Sequence, residues 1–426
     1  MKKILIILLM PFVLQAAEIK NIGELFDSLK THPVVETDQL RIEQATTGKQ
    51  MVYSKLYPNI DIFGRYDYAN IPTGMLPVPP NELLDMVKKP AVAQPFSEQI
   101  YRLGATISMP VFVSSIFSTA AKARAMQRSA ESMAYINLLK NEAIIVSANS
   151  NLIFINSLDD ALNKKRESIS KTKELIEMKT NNGRAPGEAL ILINNALHQI
   201  DISKNDLDIQ KQEVLTMIQN LTGVRLTDPI PMQATGSYKA GTIKALEPLQ
   251  QKLEGDKMAL RAEIEKLFPS FFLMGSYSNN LGYAYNNDKF VNNDYYTISL
   301  VLKIPIFAMD QYQQISLSQV EVAQTENDLK KQDLELQSQI DQLQKNLELI
   351  DNSIQLYETS IKEKEELLNI AKTSYELDRM TIEDYLKYED DLFFEKSKLF
   401  KAQAEKWQTT VKLAVIFGNK IEDIVR

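Results

Sequence analysis

The sequence contains the same long segment twice, and this duplication constrains the fold more than any other feature. Residues 101–223 align without a gap on residues 296–418, at a constant separation of 195 positions. Upstream the separation becomes 211 positions. A repeat of this length indicates two structurally similar halves. Chance agreement is the alternative, but the matched residues occupy the same contexts in both copies. They are Tyr101 with Tyr296, Pro110 with Pro305, Phe112 with Phe307, Arg184 with Arg379, Glu188 with Glu383 and Gly223 with Gly418, and upstream Pro58 with Pro269, Gly64 with Gly275 and Tyr66 with Tyr277.

Each half begins with two segments in which apolar and polar side chains alternate, as in β-strands with one apolar face. In the first half these segments cover residues 60–68 and 101–109. The second half keeps the alternation over residues 271–277 and 296–304. Strands of about 10 to 13 residues are expected, a length that suits a tilted bilayer crossing.

The first copy holds 16 more residues between its strands than the second. The extra residues fall within 71–95, a stretch with six prolines. Proline-rich segments between strands are typical of loops, so we expect a loop here.

Four strands cannot close a membrane barrel, because such barrels need at least about eight. Apolar residues on one face and tyrosines near the strand ends are nevertheless typical of outer-membrane barrels. Three chains would supply twelve strands to one barrel. A one-sided soluble sheet is the alternative. The tyrosines expected at the membrane interface are Tyr66, Tyr68, Tyr101, Tyr277 and Tyr296.

Long helices follow the strands in both halves. Neither Gly nor Pro occurs between Phe112 and Gly183, or between Pro305 and Gly418. In the second half apolar residues recur every seven positions in two interleaved series, which predicts a sustained coiled coil. The two series are Leu329, Leu336, Leu343, Ile350 and Tyr357, and Ile340, Leu347, Ile354, Ile361 and Leu368. The first half keeps this register partly, with Ile145, Ala148, Leu152, Ile155 and Leu162.

The N-terminus has the pattern of a cleaved secretory signal over residues 1–17. A positive start is followed by the apolar run Ile4–Leu14 and by small residues at Ala16 and Ala17. The run is short for a spanning helix, which needs roughly 20 apolar residues. A retained anchor is the alternative, and cleavage after Ala16 or after Ala17 stays open.

Leu103–Ala121 is a stretch of 19 residues without charged side chains, so a membrane-spanning helix is one interpretation of it. It contains Pro110, and its first part alternates with period 2. We therefore predict a strand followed by a turn and a helix start.

Composition excludes most enzyme classes. The chain has no cysteine and only two histidines, so a thiolate nucleophile, a Cys-ligated zinc site or a His-based triad is not expected. Phosphate-binding glycine loops are also absent from the sequence. The formal charge of −7 offers no basic surface for nucleic acid. We expect no enzyme activity, no cofactor, no metal and no nucleic-acid partner.

Taken together, these features resemble the TolC family of outer-membrane efflux proteins. The resemblance is carried by the order of signal, strands and helical hairpins, and by the strand openings Tyr57-Pro58-Asn59-Ile60 and Phe268-Pro269-Ser270-Phe271. His32-Pro33 looks like the family's Asn-Pro ahead of the first helix. The segments 182–188 and 377–386 resemble its helix-turn-helix tips. The absent cysteine excludes the lipid-anchored members.

The resemblance implies a mixed α+β, mostly α fold with two tandem repeats of two strands and a coiled-coil hairpin. A homotrimer would form a 12-stranded barrel in the outer membrane, continued by a periplasmic α-helical barrel. Its partners would be a periplasmic adaptor, an inner-membrane efflux pump or ABC exporter, and outer-membrane lipid. The expected divisions are 1–17 signal peptide, 18–56 N-terminal helical segment, 57–112 first strands with the Pro-rich loop, 113–223 first hairpin, 224–267 linker and short helix, 268–307 second strands, 308–418 second hairpin and 419–426 tail.

The resemblance also implies two sets of functional residues. The hairpin tips expected to face an adaptor include Gly183, Arg184, Glu188, Asp378 and Arg379. Asp378 stands where the family usually has glycine, which leaves open whether this turn differs, since aspartate tolerates a positive φ better than most residues. The expected pore entrance is formed by Glu383, Asp384 and Lys387. Asp384 matches an inward aspartate of the family, whereas Lys387 replaces a second acid.

Two functions fit the sequence, and the first explains more of its features than the second. A passive export channel of a tripartite efflux or type I secretion system explains the strands, the duplication and the lack of catalytic residues. A periplasmic coiled-coil structural or adaptor protein explains the heptads but not the amphipathic strands. The exported substrate, whether drug, metal, dye or protein, is not readable from the sequence.

Overall fold

The structure, a computed structural model, describes residues 19, 21–183 and 186–426. The predicted signal peptide and Arg184 lie outside the described residues. The chain divides into two compact units. One comprises the described residues up to Arg41, Glu131–Pro248 and Lys330–Arg426. The other comprises Ile42–Ala130 and Leu249–Leu329, and it holds the whole sheet.

The described part of the chain forms eight α-helices and four β-strands. Short 3-10 turns lie at Lys244–Leu246 and Ile421–Asp423. The elements are α1 Ile22–Lys30, α2 Pro33–Ser54, β1 Asn59–Gly74, α3 Pro80–Val87, β2 Phe96–Phe112, α4 Ser114–Asn181, α5 Gly187–Thr222, α6 Glu247–Glu265, β3 Ser270–Tyr283, β4 Phe290–Lys303, α7 Met309–Glu376 and α8 Ile382–Phe417.

The predicted duplication is confirmed by the helix ends. Helices α4 and α7 each have 68 residues, and both their first and their last residues are 195 positions apart. Helices α5 and α8 each have 36 residues with the same separation. Both end at a glycine in the left-handed region, Gly223 with φ 72° and Gly418 with φ 69°. Glycine adopts this conformation without a Cβ penalty, so the same residue ends the same helix twice.

The predicted heptad positions of the first half are all buried, whereas in the second half Leu343 and Ile361 are buried and the other predicted positions are half-buried. Ile169 and Ile176 of α4 share one buried cluster with Ile193 and Ile200 of α5. Leu343 of α7 packs in another cluster with α8 residues. A third cluster joins α1 to α4, α8 and the C-terminal residues. The seven-residue spacing thus describes the packed seams of these helices.

The four strands form one antiparallel sheet in the order β1-β2-β3-β4. They have 14 to 17 residues, longer than the predicted 10 to 13. The difference arises because the strand pairing continues beyond the regular alternation, for example across a register shift between Tyr68 and Thr73.

The insertion that lies within residues 71–95 was predicted as a loop, and this is wrong in part because it contains a short helix. Strand β1 runs on to Gly74, and Pro80–Val87 forms helix α3. Pro80 stands at the start of α3, where proline's fixed φ and missing N–H are tolerated. A high proline content therefore did not exclude a short helix.

Candidate functional site

The first hairpin turn joins α4 to α5 through a glycine in the left-handed region. Gly183 has φ 69°, and its N–H donates to the Thr180 carbonyl at 2.9 Å. Arg184, predicted to face an adaptor, lies outside the described residues. Glu188 is exposed in the first turn of α5, where an acid interacts favourably with the helix dipole.

The second turn places Asp378 where the first has Gly183. Asp378 takes φ 55°, and its N–H donates to the Tyr375 carbonyl at 3.1 Å. The N–H of Arg379 donates to the Ser374 carbonyl at 2.9 Å, which completes a Schellman motif. Asp378 thus takes the same left-handed conformation as Gly183, because aspartate adopts a positive φ more readily than most residues.

The Asp378 side chain adds a contact that glycine cannot make. Its carboxylate forms an ion pair with Lys179, near the end of α4. The Lys179 ammonium also lies 5.2 Å from the ring centroid of Tyr375. Asp378 thus connects the second turn to the end of α4 through its ion pair with Lys179. Arg379 is exposed and has no ion pair within the described residues.

The predicted pore-entrance residues lie on the first turns of α8. Thr381 caps this helix: its Oγ1 accepts from the Asp384 N–H at 3.2 Å and donates to Asp384 Oδ2 at 2.7 Å. Thr381 is therefore the N-cap, and the Asp384 carboxylate holds the capping hydroxyl in place. Glu383 and Lys387 are exposed, and no ion pair joins Lys387 to either acid in the described residues. Three charged side chains are thus displayed within little more than one turn.

A buried polar cluster behind these residues was not predicted. The Tyr385 hydroxyl donates to Glu389 Oε1 at 2.7 Å and lies 3.0 Å from Ser168 Oγ on α4. Ser168 Oγ also donates to Glu389 Oε1, at 2.5 Å. Burial and the Glu389 carboxylate raise the pKa of Tyr385 to about 12. The only sequence signal was a Tyr and a Glu four residues apart on an apolar helix face.

The predicted interface tyrosines share one face of the sheet. Tyr66 pairs directly with Tyr101, with ring centroids 4.9 Å apart, and Tyr277 pairs directly with Tyr296. Tyr68 continues the Tyr66 side of β1. All five are exposed. No observation tests their depth in a membrane, so that assignment stays a prediction.

The tyrosines belong to a wider apolar face. The strand register places most of the exposed large apolar side chains of the four strands on that face, whereas Met274 and Val301 are exposed on the opposite face. The opposite face carries mainly polar residues, including Asp61, Arg65, Arg102, Ser276 and Thr297. The exposed apolar residues are Ile60, Ile62, Leu103, Ile107, Leu273, Ile298, Leu300 and Leu302. Apolar patches of this extent mark a surface covered by lipid or protein.

Among the described residues, no group of three or more His, Asp or Glu side chains is placed to hold a metal ion. No described helix is long and apolar enough to cross a membrane.

No protein-family model matches the sequence, and no curated protein is significantly similar to it. Solved structures do match over nearly the whole chain. The CmeC outer-membrane channel of Campylobacter jejuni is 16% identical, with a TM-score of 0.76 over 94% of this chain and 86% of CmeC. The outer-membrane protein VceC of Vibrio cholerae is 13% identical, with a TM-score of 0.77 over 93% of this chain and 96% of VceC.

A third match is CusC, a protein whose structures concern folding and transmembrane channel formation. It is 12% identical, with a TM-score of 0.79 over 95% of this chain and 94% of CusC. At such low identity these likenesses establish the fold. The mixed α+β, mostly helical architecture predicted from the sequence is confirmed, and the chain has the fold of the TolC-like outer-membrane channels.

Proposed function

We propose that this chain is an outer-membrane channel that extends into the periplasm and gives passive export of substrates. An inner-membrane pump or ABC exporter would deliver them through a periplasmic adaptor, in a tripartite efflux or type I secretion system. The observation that carries the proposal is the two-faced sheet, apolar and exposed on one side and mainly polar on the other. This is the distribution of a barrel with lipid outside and water inside.

The competing function is a periplasmic coiled-coil structural or adaptor protein. It accounts for the buried heptad positions but gives no role to the exposed apolar face of the sheet. The shared fold with outer-membrane channels also favours the channel.

Fractionation and conductance test the proposed function. We expect the protein in detergent extracts of the outer membrane, as a heat-sensitive trimer that conducts ions in planar lipid bilayers. Recovery with the soluble periplasmic proteins, or an intact trimer without conductance, would instead support the structural or adaptor function.

At the pore entrance we propose that Glu383 and Asp384 form rings of acids in the trimer. Such rings favour cations in a narrow pore. Changing both to alanine should reduce cation selectivity, measured as the reversal potential in a salt gradient, and weaken block by multivalent cations.

The control is Thr381→Ala, which removes the cap of α8 but keeps both carboxylates. It should leave selectivity unchanged. If Thr381→Ala lowers cation selectivity as much as the double variant does, the selectivity depends on the capped end of α8 and not on the two carboxylates.

We propose that the turns at Gly183–Glu188 and Asp378–Arg379 face the adaptor. The support is the exposure of Gly183, Glu188 and Asp378, and the Arg379 guanidinium, which has no ion pair within the described residues and could pair with adaptor carboxylates. Crosslinking from position 379 in cells tests this, with Arg184→Ala/Arg379→Ala expected to weaken the adaptor product. An unchanged product at normal trimer yield would contradict the assignment.

A further inference from the structure

On the polar face of the sheet, two arginines lie directly opposite each other. Arg65 of β1 pairs with Arg102 of β2 in the strand register. Like charges at directly opposite positions destabilise a sheet. The pair therefore calls for an explanation beyond strand packing.

Within the part of the chain that the structure describes, one carboxylate compensates the two guanidinium groups. Asp67 accepts a hydrogen bond from Arg65 Nε at 2.5 Å, and its other oxygen lies 3.1 Å from Arg102 Nε. Arg102 Nη2 additionally donates to the Gly74 carbonyl at 3.2 Å. The cluster keeps one excess positive charge per chain. The Nη groups of Arg65 have no partner within the described residues, and this side chain is 66% exposed.

No acid on the neighbouring strands neutralises the row. Arg102 lies opposite Asn280 of β3, which lies opposite Asn293 of β4. The other acids on this face of β1 and β2 are Asp61, four residues from Arg65, and Glu98, four residues from Arg102. Four residues of a strand span roughly 13 Å. This exceeds the Debye length of about 8 Å at physiological ionic strength.

We propose that Arg65 and Arg102, positioned by Asp67, form an anion-binding ring in the lumen of the channel, with inorganic phosphate and phosphorylated or other multivalent anions as ligands. The inference rests on the proposed function, because the polar face lines a lumen only if the strands form a barrel. Threefold repetition would set six guanidinium groups at one level. Arg side chains bind phosphate oxygens bidentately, and rings of them are used in anion pores.

The test is the conductance of the full-length channel in planar bilayers with inorganic phosphate added. Arg65→Gln/Arg102→Gln should shift the reversal potential in a potassium chloride gradient toward cation selectivity. The phosphate concentration for half-block should rise at least tenfold. Asp67→Asn should move both quantities the opposite way, because it removes the compensating carboxylate. Arg65→Gln alone, at the more exposed position, should give a smaller change in the direction of the double variant and serves if the double variant does not fold.

The outcomes separate this inference from the proposed function. Conducting variants with unchanged selectivity and unchanged phosphate block would show that the three residues are only a structural ion cluster, while the channel function stands. Wild-type protein without conductance would overturn both. A change in selectivity without any phosphate block would also overturn the binding site.

Discussion

Gly183 and Asp378 hold the same backbone position in the two hairpins, and both need a positive φ. A residue with a bulky Cβ loses about 1–2 kcal/mol in this conformation. We predict that Gly183→Val lowers the free energy of unfolding of the hairpin by about that amount, measured by thermal unfolding of the purified protein. Asp378→Gly relieves backbone strain but removes the ion pair between the exposed Asp378 and the half-buried Lys179, so its net effect should stay within about 1 kcal/mol. Equal destabilisation by both changes would contradict this account.

Glu142 is a buried acid of α4, 3% exposed. Burial, and to a lesser extent the nearby Glu422 carboxylate, raises its pKa from 4.5 to about 7, although Lys30 acts in the opposite direction. Lys30 itself pairs with Glu422 at 2.7 Å and with Asp27 at 3.1 Å. Between about pH 4.5 and pH 7 the folded chain therefore holds a proton that the unfolded chain has released.

This proton sets the direction of a pH effect. The stabilisation is complete below about pH 4.5 and is lost as pH rises through about 7. At 1.36 kcal/mol per pKa unit, the full effect is about 3 kcal/mol. We predict that Glu142→Gln flattens the fall in melting temperature between pH 5 and pH 8. Glu174→Gln, an exposed position on the same helix, should leave the fall unchanged. An identical pH profile in Glu142→Gln would refute the assignment.

At the scale of elements, the cluster of Tyr385, Ser168 and Glu389 ties α8 to α4. Tyr385→Phe would leave the buried Glu389 carboxylate with one donor fewer. Loss of a partner for a buried polar group costs about 1–3 kcal/mol. We predict a corresponding loss of stability in thermal unfolding. The control is Tyr388→Phe, since the Tyr388 hydroxyl has no hydrogen bond within the described residues. Equal effects of the two changes would mean that the hydrogen bonds contribute nothing.

The sequence predicted those elements in which a local pattern extends over many residues. Helices α4 and α7 were predictable because the heptad spacing continues over many turns without glycine or proline. Helix α3 has only eight residues and was missed, because two turns are too short for a periodic signal. The contact of Ser168 with Tyr385 joins residues 217 positions apart. The spacing of residues along the sequence does not indicate a contact between positions so far apart.

The predicted hairpin tips show the same limit. A positive φ at Gly183 could be expected from its residue type. The same conformation could be expected at Asp378, because the repeat aligns Asp378 with Gly183. The Lys179 ion pair could not be expected, because it depends on how the two hairpins pack. The C-terminal residues were predicted only as a tail, yet Ile421, Ile424 and Val425 are buried in the core.

At the scale of the whole molecule, the open edges of the sheet point to an assembly. Strands β1 and β4 pair on one side only within the described chain. Long exposed edges invite pairing with another chain, and natural proteins cover them. A barrel of three chains would join β4 of one protomer to β1 of the next. This arrangement would also close the exposed apolar face into a continuous band.

The absence of cysteine from the chain permits a clean test of that seam. We predict that cysteines placed together on β1 and β4, scanned around Ile62 and Ile298, form disulfides between chains and give covalent trimers on denaturing gels. The reason is that edge strands of adjacent protomers lie about 4.8 Å apart when hydrogen-bonded. The control pair is Ala105→Cys/Tyr277→Cys, which lie directly opposite each other on β2 and β3 and should crosslink only within a chain. If no β1–β4 pair crosslinks between chains while native mass spectrometry finds a conducting monomer, the trimeric barrel is wrong.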